Sequence, residues 1–270
     1  RIVTGLSDKK INQHVSCDVE WPATFKAACD YIKVHNSGRN EDIATVNHYI
    51  NQFHGGEKKF LQRVFTKNLP LGVEVKTVNK VLGFTLIPDW QVQQAYLIEK
   101  YPIKEGEWFA ISQKMNGSHA SLYHGEMISR QGTVFTGLDH ILKELHEVLD
   151  NADNWFLDGE LIRKNTDGIS DGENFRIGTG LANAKDADKT SLEYVIYDML
   201  PAVEFDTGKS KLNYRERLYQ LNALDDLIRM KGCQHIRIVP RFYNGTDTKE
   251  ISKWLDYAVA HDMEGVMCNR

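Results

Sequence analysis

The sequence predicts an α+β chain, with an all-helical first part and a second part in which antiparallel strands alternate with flanking helices. Three observations predict it. From about Phe25 to Asn79 apolar residues recur at three- to four-residue spacing, with no convincing strand alternation. Beyond about residue 104, short runs of strand composition alternate with helical stripes. Between the two, Tyr101-Pro102 followed by Gly106 interrupts both patterns. The boundary is placed near residue 104, giving units of 1–104 and 105–270. A chain of 270 residues exceeds one average domain, so two separate cores are expected.

In the first unit the helical stripes are Phe25, Cys29, Tyr31 and Ile32, then Ile43, Val46, Ile50 and Phe53, then Phe60, Val64 and Phe65. Gly55-Gly56 and Leu69-Pro70-Leu71-Gly72 are expected to break them. In the second unit Trp108 to Gln113, His119 to Ser129, Trp155 to Ile162, Leu192 to Asp198 and His235 to Pro240 read as strands. Leu138, Ile141, Leu142, Leu145, Val148 and Leu149 form one apolar helical stripe. Asn213 with Glu216 predicts a capping box before a longer helix, and Asp247 with Glu250 predicts another before Ile251, Trp254, Leu255 and Ala258. No sustained repeat or low-complexity tract interrupts this order.

Composition excludes several classes. No apolar run approaches the roughly 20 residues of a membrane span, and 41% apolar with 26% charged residues describes a globular chain. The net charge of -4 gives nucleic-acid binding no support at the whole-chain level, so any such claim rests on local patches. Cys17, Cys29, Cys233 and Cys268 are far apart and form no Cys-x-x-Cys pair, which suggests neither zinc nor a disulfide framework and fits a reducing, intracellular compartment. Two glycosylation-type triplets, at Asn116 and Asn244, read as chance because no apolar signal segment begins the chain. A start at Arg1 instead of methionine reads as a fragment of a longer protein. Thr207-Gly208-Lys209-Ser210 lacks the earlier glycine of a phosphate-binding loop, with Val203 in its place, and reads as a turn before a helix. Asp167-Gly168 and Asp171-Gly172 lack the terminal glutamate of a calcium loop and read as a polar connection.

Five short motifs carry the chemistry. They are Lys114-Met115-Asn116-Gly117-Ser118-His119, Ser129-Arg130-Gln131-Gly132, Phe156-Leu157-Asp158-Gly159-Glu160-Leu161, Tyr194-Val195-Ile196-Tyr197-Asp198 and Met263-Glu264-Gly265-Val266-Met267. A lysine held at a strand end by a glycine turn can present its amine to a phosphorus atom, given burial or neighbouring cations that favour the neutral form. An arginine offers a rigid donor fork to phosphate, and a carboxylate accepts hydrogen bonds from a sugar diol. An aromatic side chain on a strand can stack on a base or serve the core, and a lone carboxylate beside phosphates suffices for magnesium, which retains waters.

In order and spacing these motifs resemble those of the covalent nucleotidyltransferases, the superfamily of ATP-dependent DNA ligases, RNA ligases and mRNA capping enzymes. The stretch from Asn68 to Val73 and that from Lys76 to Val81 resemble the end of the helical DNA-binding domain of ATP-dependent DNA ligases. Asn174 to Lys185 resembles, more loosely, a segment of bacteriophage T4-like ligases. The resemblance implies a helical DNA-binding domain at 1–104 and an ATP-grasp-like adenylation domain at 105–270, incomplete at its C-terminus, where a lysine pair and an oligonucleotide-binding domain would follow.

The resemblance further implies Lys114 as the lysine that carries AMP, and Arg130 on phosphate. Glu160 would hold the ribose, Tyr197 the adenine, and Glu264 the Mg2+ ion, with His119 also on the nucleotide. ATP would be the cofactor and nicked duplex DNA the partner of a monomer, in the service of DNA repair, replication or recombination. The chain departs from the family's Lys-x-Asp-Gly-x-Arg at Asn116 and His119, a lost carboxylate and a lost permanent cation. That departure, with the lysine pair lying outside the sequence, motivates one alternative, a catalytically impaired nucleic-acid-binding protein on a ligase scaffold; an RNA ligase is a third possibility. Lys9, Lys10, Lys58, Lys59, Arg63 and Lys67 are candidate DNA backbone contacts.

Overall fold

A computed structural model describes residues 4–19, 21–69, 72, 75–83, 92–130, 132–184 and 186–270. Pro70 and Leu71 of the expected helix break, Val73 at the end of the ligase-like stretch, Gln131 of the second motif, and Lys185 lie outside the described residues, as do the side chains of Val75 and Lys76. The chain divides into two compact units between Asp89 and Trp90, ahead of the boundary expected near 104. The segment around Tyr101-Pro102 belongs with the second unit: Ile98, Pro102 and Ile103 line a cleft together with Thr246 and Ile251, and Arg270 pairs with Glu107 at 3.2 Å.

The described elements of the first unit are the helices α1 (Asp8–Ile11), α2 (Phe25–Val34), α3 (Asn40–Ile50), α4 (Gly55–Phe65) and α5 (Val75–Leu82). The predicted stripes face inward in part: Ile32, Ile43, Val46, Ile50 and Phe65 are buried in one core with Leu6 and Ile11, whereas Phe25 and Phe60 are exposed. Gly55-Gly56, expected to break the helices, instead forms the first turn of α4, and residues 51–54 separate it from α3. At the start of α3 the buried Asp42 carboxylate accepts from the Arg39 backbone N–H at 3.0 Å, Ser37 Oγ at 2.9 Å and Tyr31 OH at 3.3 Å. It thereby satisfies one of the backbone N–H groups that the start of a helix leaves without a partner within the helix.

The second unit contains two sheets. The smaller is antiparallel, with β1 (Phe109–Gln113) central between β7 (Arg241–Gly245) and β8 (Val266–Asn269). The larger has the order β3 (Glu126–Ser129), β2 (Ser118–Tyr123), β4 (Trp155–Arg163), β5 (Leu192–Pro201) and β6 (Ile236–Ile238). It is antiparallel except that β5 and β6 run parallel, joined through α8 (Ala202–Thr207) and α9 (Tyr214–Lys231). The sequence led us to expect antiparallel sheets throughout; a parallel neighbour becomes possible because the two helices make the long crossover that parallel pairing needs.

Other differences have local causes. The single strand expected from His119 to Ser129 is a hairpin, because His124 (φ 47°) and Gly125 (φ 73°) both take the left-handed conformation of a tight two-residue turn. The strand expected from His235 to Pro240 ends at Ile238, and after Pro240 the chain enters the smaller sheet as β7. Asp171-Gly172, expected in a connection, forms the first turn of α7 (Asp171–Asn183), where Ser170 Oγ caps the Glu173 N–H. The Asn213/Glu216 capping box is present. The Asp247/Glu250 box is not: α10 (Lys249–Ala260) starts from Thr248, Asp247 accepts from the Lys249 N–H, and the Glu250 side chain accepts from Trp254 Nε1.

Parity along the large sheet separates its two faces. Leu157 and Leu161 of β4, Ala120 and Leu122 of β2, and Tyr194, Ile196 and Met199 of β5 enter the core with Ile141 and Leu145 of α6 (Asp139–Val148) and Leu221 and Leu224 of α9. His119, Ser121, Asp158 and Glu160 occupy the alternate positions and so the opposite face. On β5 the parity changes between Ile196 and Met199, both of which serve the core. Asp158 pairs with Asp198 but Gly159 pairs with Ile196, so Tyr197 is the extra residue of a β-bulge.

Candidate active site

Lys114 follows the last residue of the central strand of the small sheet, and Ser118 opens β2 of the large one. The four residues Lys114 to Gly117 therefore cross between the sheets. The Lys114 N–H donates to the Gly265 carbonyl at 3.0 Å, extending the β1–β8 pairing by one residue. Its ammonium group forms an ion pair with Glu264, one residue earlier, and the Lys114 side chain is 40% exposed. The side chain thus has both a fixed neighbour and access from outside. Gly117 is required by close approach: a Cβ there would collide with the Leu161 carbonyl, Ile162 and Glu160. The turn can pass this close to β4 only without a side chain.

Glu160 stands across the ladder from His119. Burial pushes its carboxyl up to about 7; His119 opposes this, Asp158 adds to it, and Lys114 and Arg130 oppose it. These influences place four charged or titratable groups around one carboxylate. Arg130 is exposed in the turn after β3 and acts through its charge on both Glu160 and Tyr197. The Tyr197 ring lies 6.4 Å from the His119 ring, centroid to centroid, and burial pushes its phenol far up, with Asp158 and Glu160 adding to the shift.

His119 Nε2 is 2.9 Å from Asp158 Oδ1, yet the angle misses hydrogen-bond geometry. Both ring nitrogens are buried without a hydrogen-bond partner among the described residues. Asp158 accepts instead from Ser121 Oγ at 2.9 Å. An imidazole with two unused polar atoms facing this cluster fits a pocket for a hydrogen-bonding ligand.

Lys114, Arg130, His119, Glu160, Tyr197 and Glu264, noted from separate motifs, therefore come from β1, β2, β3, β4, β5, β8 and their ends to one region of the second unit. Ser121 and Asp158 join them, and Asp198, next to Tyr197, pairs with Arg217 of α9 outside the cluster; none of these four was singled out by sequence. Asp158 and Asp198 lay inside the quoted motifs, whereas Arg217 had no signal beyond its place on a helix. The cleft of about 620 Å³ that Ile98, Pro102, Ile103 and Ile251 line is composed of other residues. Among the described residues no group of three or more His, Cys, Asp or Glu side chains could hold a metal alone. Glu264 by itself is a donor suited to magnesium that takes its remaining ligands from phosphate and water.

The two sheets, the lysine between them and the ring of acidic, basic and aromatic side chains define a ligase-type nucleotidyltransferase domain. The family model for the ATP dependent DNA ligase domain matches residues 93–270, and the chain belongs to that family. Two solved structures, "Pmar-Lig_Pre." and "Pmar-Lig_PreS3", align over 100% of the chain with TM-scores of 0.66 and 0.67 at 22% and 21% identity. The chain spans 65% and 66% of their lengths. An ATP-dependent DNA ligase from bacteriophage T7, solved in complex with ATP, aligns over 60% of this chain and 56% of its own, with 17% identity and a TM-score of 0.46. No curated protein compared with the chain matches it significantly in sequence. Among the described residues no helix is long and apolar enough to cross a membrane, and all four cysteines are free thiols.

Proposed function

We propose that the chain is the DNA-binding and adenylation part of a T4-like ATP-dependent DNA ligase that acts as a monomer and seals nicks in duplex DNA. The Lys114 amine forms a bond to the α-phosphorus of ATP, losing its proton as pyrophosphate leaves. The AMP then passes to the 5′-phosphate of a nick and frees the lysine. The 3′-hydroxyl attacks that phosphorus, AMP departs and the strand is closed.

In this reading Glu160 accepts from the ribose hydroxyls, Tyr197 lies against adenine, and Arg130 and His119 donate to phosphate or base. Magnesium, held by Glu264 and phosphate oxygens, would offset the charge of the phosphates. The helices of residues 1–89 would bear on the DNA backbone. The observation that carries the proposal is the amine of the half-exposed Lys114 side chain, held beside Glu264 and within the electrostatic reach of Glu160.

Incubation with α-labelled ATP and magnesium tests it. An acid-labile label should appear on the protein and be absent in Lys114→Ala; a label that persists in the variant, or none in the wild type, rejects the assignment of Lys114. Preference for nicked RNA over nicked DNA in a sealing assay would instead support an RNA ligase.

A further inference from the structure

Tyr197 is the bulged residue of β5, left out of the regular ladder with β4, so something other than strand pairing must hold its ring toward His119. The first turns of α9 supply the grip. Arg217 donates Nε to Asp198 Oδ1 at 2.8 Å and Nη2 to Asp198 Oδ2 at 2.7 Å, a two-pronged pair with both side chains largely buried. Its third nitrogen, Nη1, donates to the Leu212 carbonyl at 2.9 Å, which ties the guanidinium to the segment before the helix. Asp198 Oδ1 also accepts from the Met199 N–H at 2.8 Å. Tyr214 OH reaches the Tyr197 carbonyl at 3.5 Å.

Charge gives this grip a second effect. Asp198 faces Asp158 directly across the β4–β5 ladder, and both carboxylates are buried. Without a cation on one of them the two repel, and relief comes from protonating one carboxyl, turning Asp198 outward or shifting the register by a residue. Either movement takes Tyr197 with it.

We propose that Arg217, acting through Asp198, is a positioning residue that holds Tyr197 in its bulged conformation and so sets the affinity of the site for adenine. The proposal rests on the reading of Tyr197 given above and deepens it. Lysine at 217 keeps the charge but cannot engage both carboxylate oxygens at once.

Nucleotide affinity is measured by calorimetric titration of ATP, and the half-saturating ATP concentration by lysyl-AMP formation, for the wild type, Arg217→Lys, Tyr197→Ala and the double variant. Arg217→Lys should weaken ATP by about three- to ten-fold, the range that one aromatic contact accounts for. The amount of lysyl-AMP at saturating ATP should stay nearly unchanged. The double variant should bind no more weakly than Tyr197→Ala alone. Additive losses, or a lower yield at saturation with unchanged affinity, overturn the proposal. Should Arg217→Lys fail to fold, Tyr214→Phe gives the same test through the Tyr197 carbonyl, with a smaller loss that must again vanish in the Tyr197→Ala background. A wild type that binds ATP but forms no adduct refutes the role of Lys114 and leaves the coupling of residues 217 and 197 measurable.

Discussion

Glu160 holds its proton more tightly in the folded chain than an ordinary glutamate does, because burial raises its carboxyl to about 7, against the partial opposition of His119, Lys114 and Arg130. The sign of the consequence follows from linkage. Between about pH 4.5 and pH 7 the folded state keeps a proton that the unfolded state has released, so this group lowers stability as pH rises through that window. Glu160→Gln should therefore be more stable than the wild type at about pH 8, by on the order of 2–3 kcal/mol, and nearly equal to it at about pH 4.5. Thermal melts at the two pH values check this; equal melting temperatures at the higher pH refute it. The same variant should bind ATP more weakly, since the amide nitrogen cannot accept from a ribose hydroxyl. Gly159 makes a separate prediction. A Cβ there would stand 2.5 Å from both the Tyr194 ring and the Val195 carbonyl. Gly159→Ala should destabilise the unit by about 1–3 kcal/mol, the usual cost of overpacking, read as a lower denaturation midpoint.

Helix α3 shows what a buried carboxylate does for an element. Asp42 collects the Arg39 N–H and the hydroxyls of Ser37 and Tyr31, and is fully buried. Asp42→Ala removes the acceptor that the Arg39 N–H, Ser37 Oγ and Tyr31 OH share, and should cost about 1–3 kcal/mol in chemical denaturation of the first unit. A loss below about 1 kcal/mol would mean that water replaces the carboxylate. Asp42 was not among the residues that periodicity picks out, and the reason is general to this chain. The stripes of α2, α3 and α6 were legible because burial of one face imposes a 3.6-residue rhythm, and the start of α9 because the partners of the Asn213/Glu216 box are three residues apart. The His124-Gly125 turn and the bulge at Tyr197 each add or re-aim single residues inside strand-like composition, which leaves the rhythm nearly unchanged. The candidate site was legible as motifs, yet Arg217 reaches it from a helix, and only the β4–β5 register shows why.

At the scale of the whole molecule the two buried clusters share no residue, one lying in each unit, and the net charge of -4 hides a local excess of the other sign. Lys59 and Arg63 are exposed one turn apart on α4, and Lys67 is exposed just beyond its end. Lys10, by contrast, is committed to the fold through the Gly38 carbonyl at 3.1 Å, which removes it as a free contact for a nucleic acid. Under the proposed function these three cations are the ones placed to neutralise phosphates. Each phosphate neutralised on duplex DNA releases condensed counterions, so the logarithm of the binding constant falls with the logarithm of salt by about 0.9 per contact. Replacing Lys59, Arg63 and Lys67 together with alanine should weaken binding to nicked duplex DNA and make that salt slope shallower by about 2–3. Lys10→Ala should lower the melting temperature of the chain and leave the slope alone. Titrations over a range of potassium chloride concentrations separate the cases. An unchanged slope in the triple variant would show that this face of α4 does not meet the DNA backbone, whatever the outcome at Lys114.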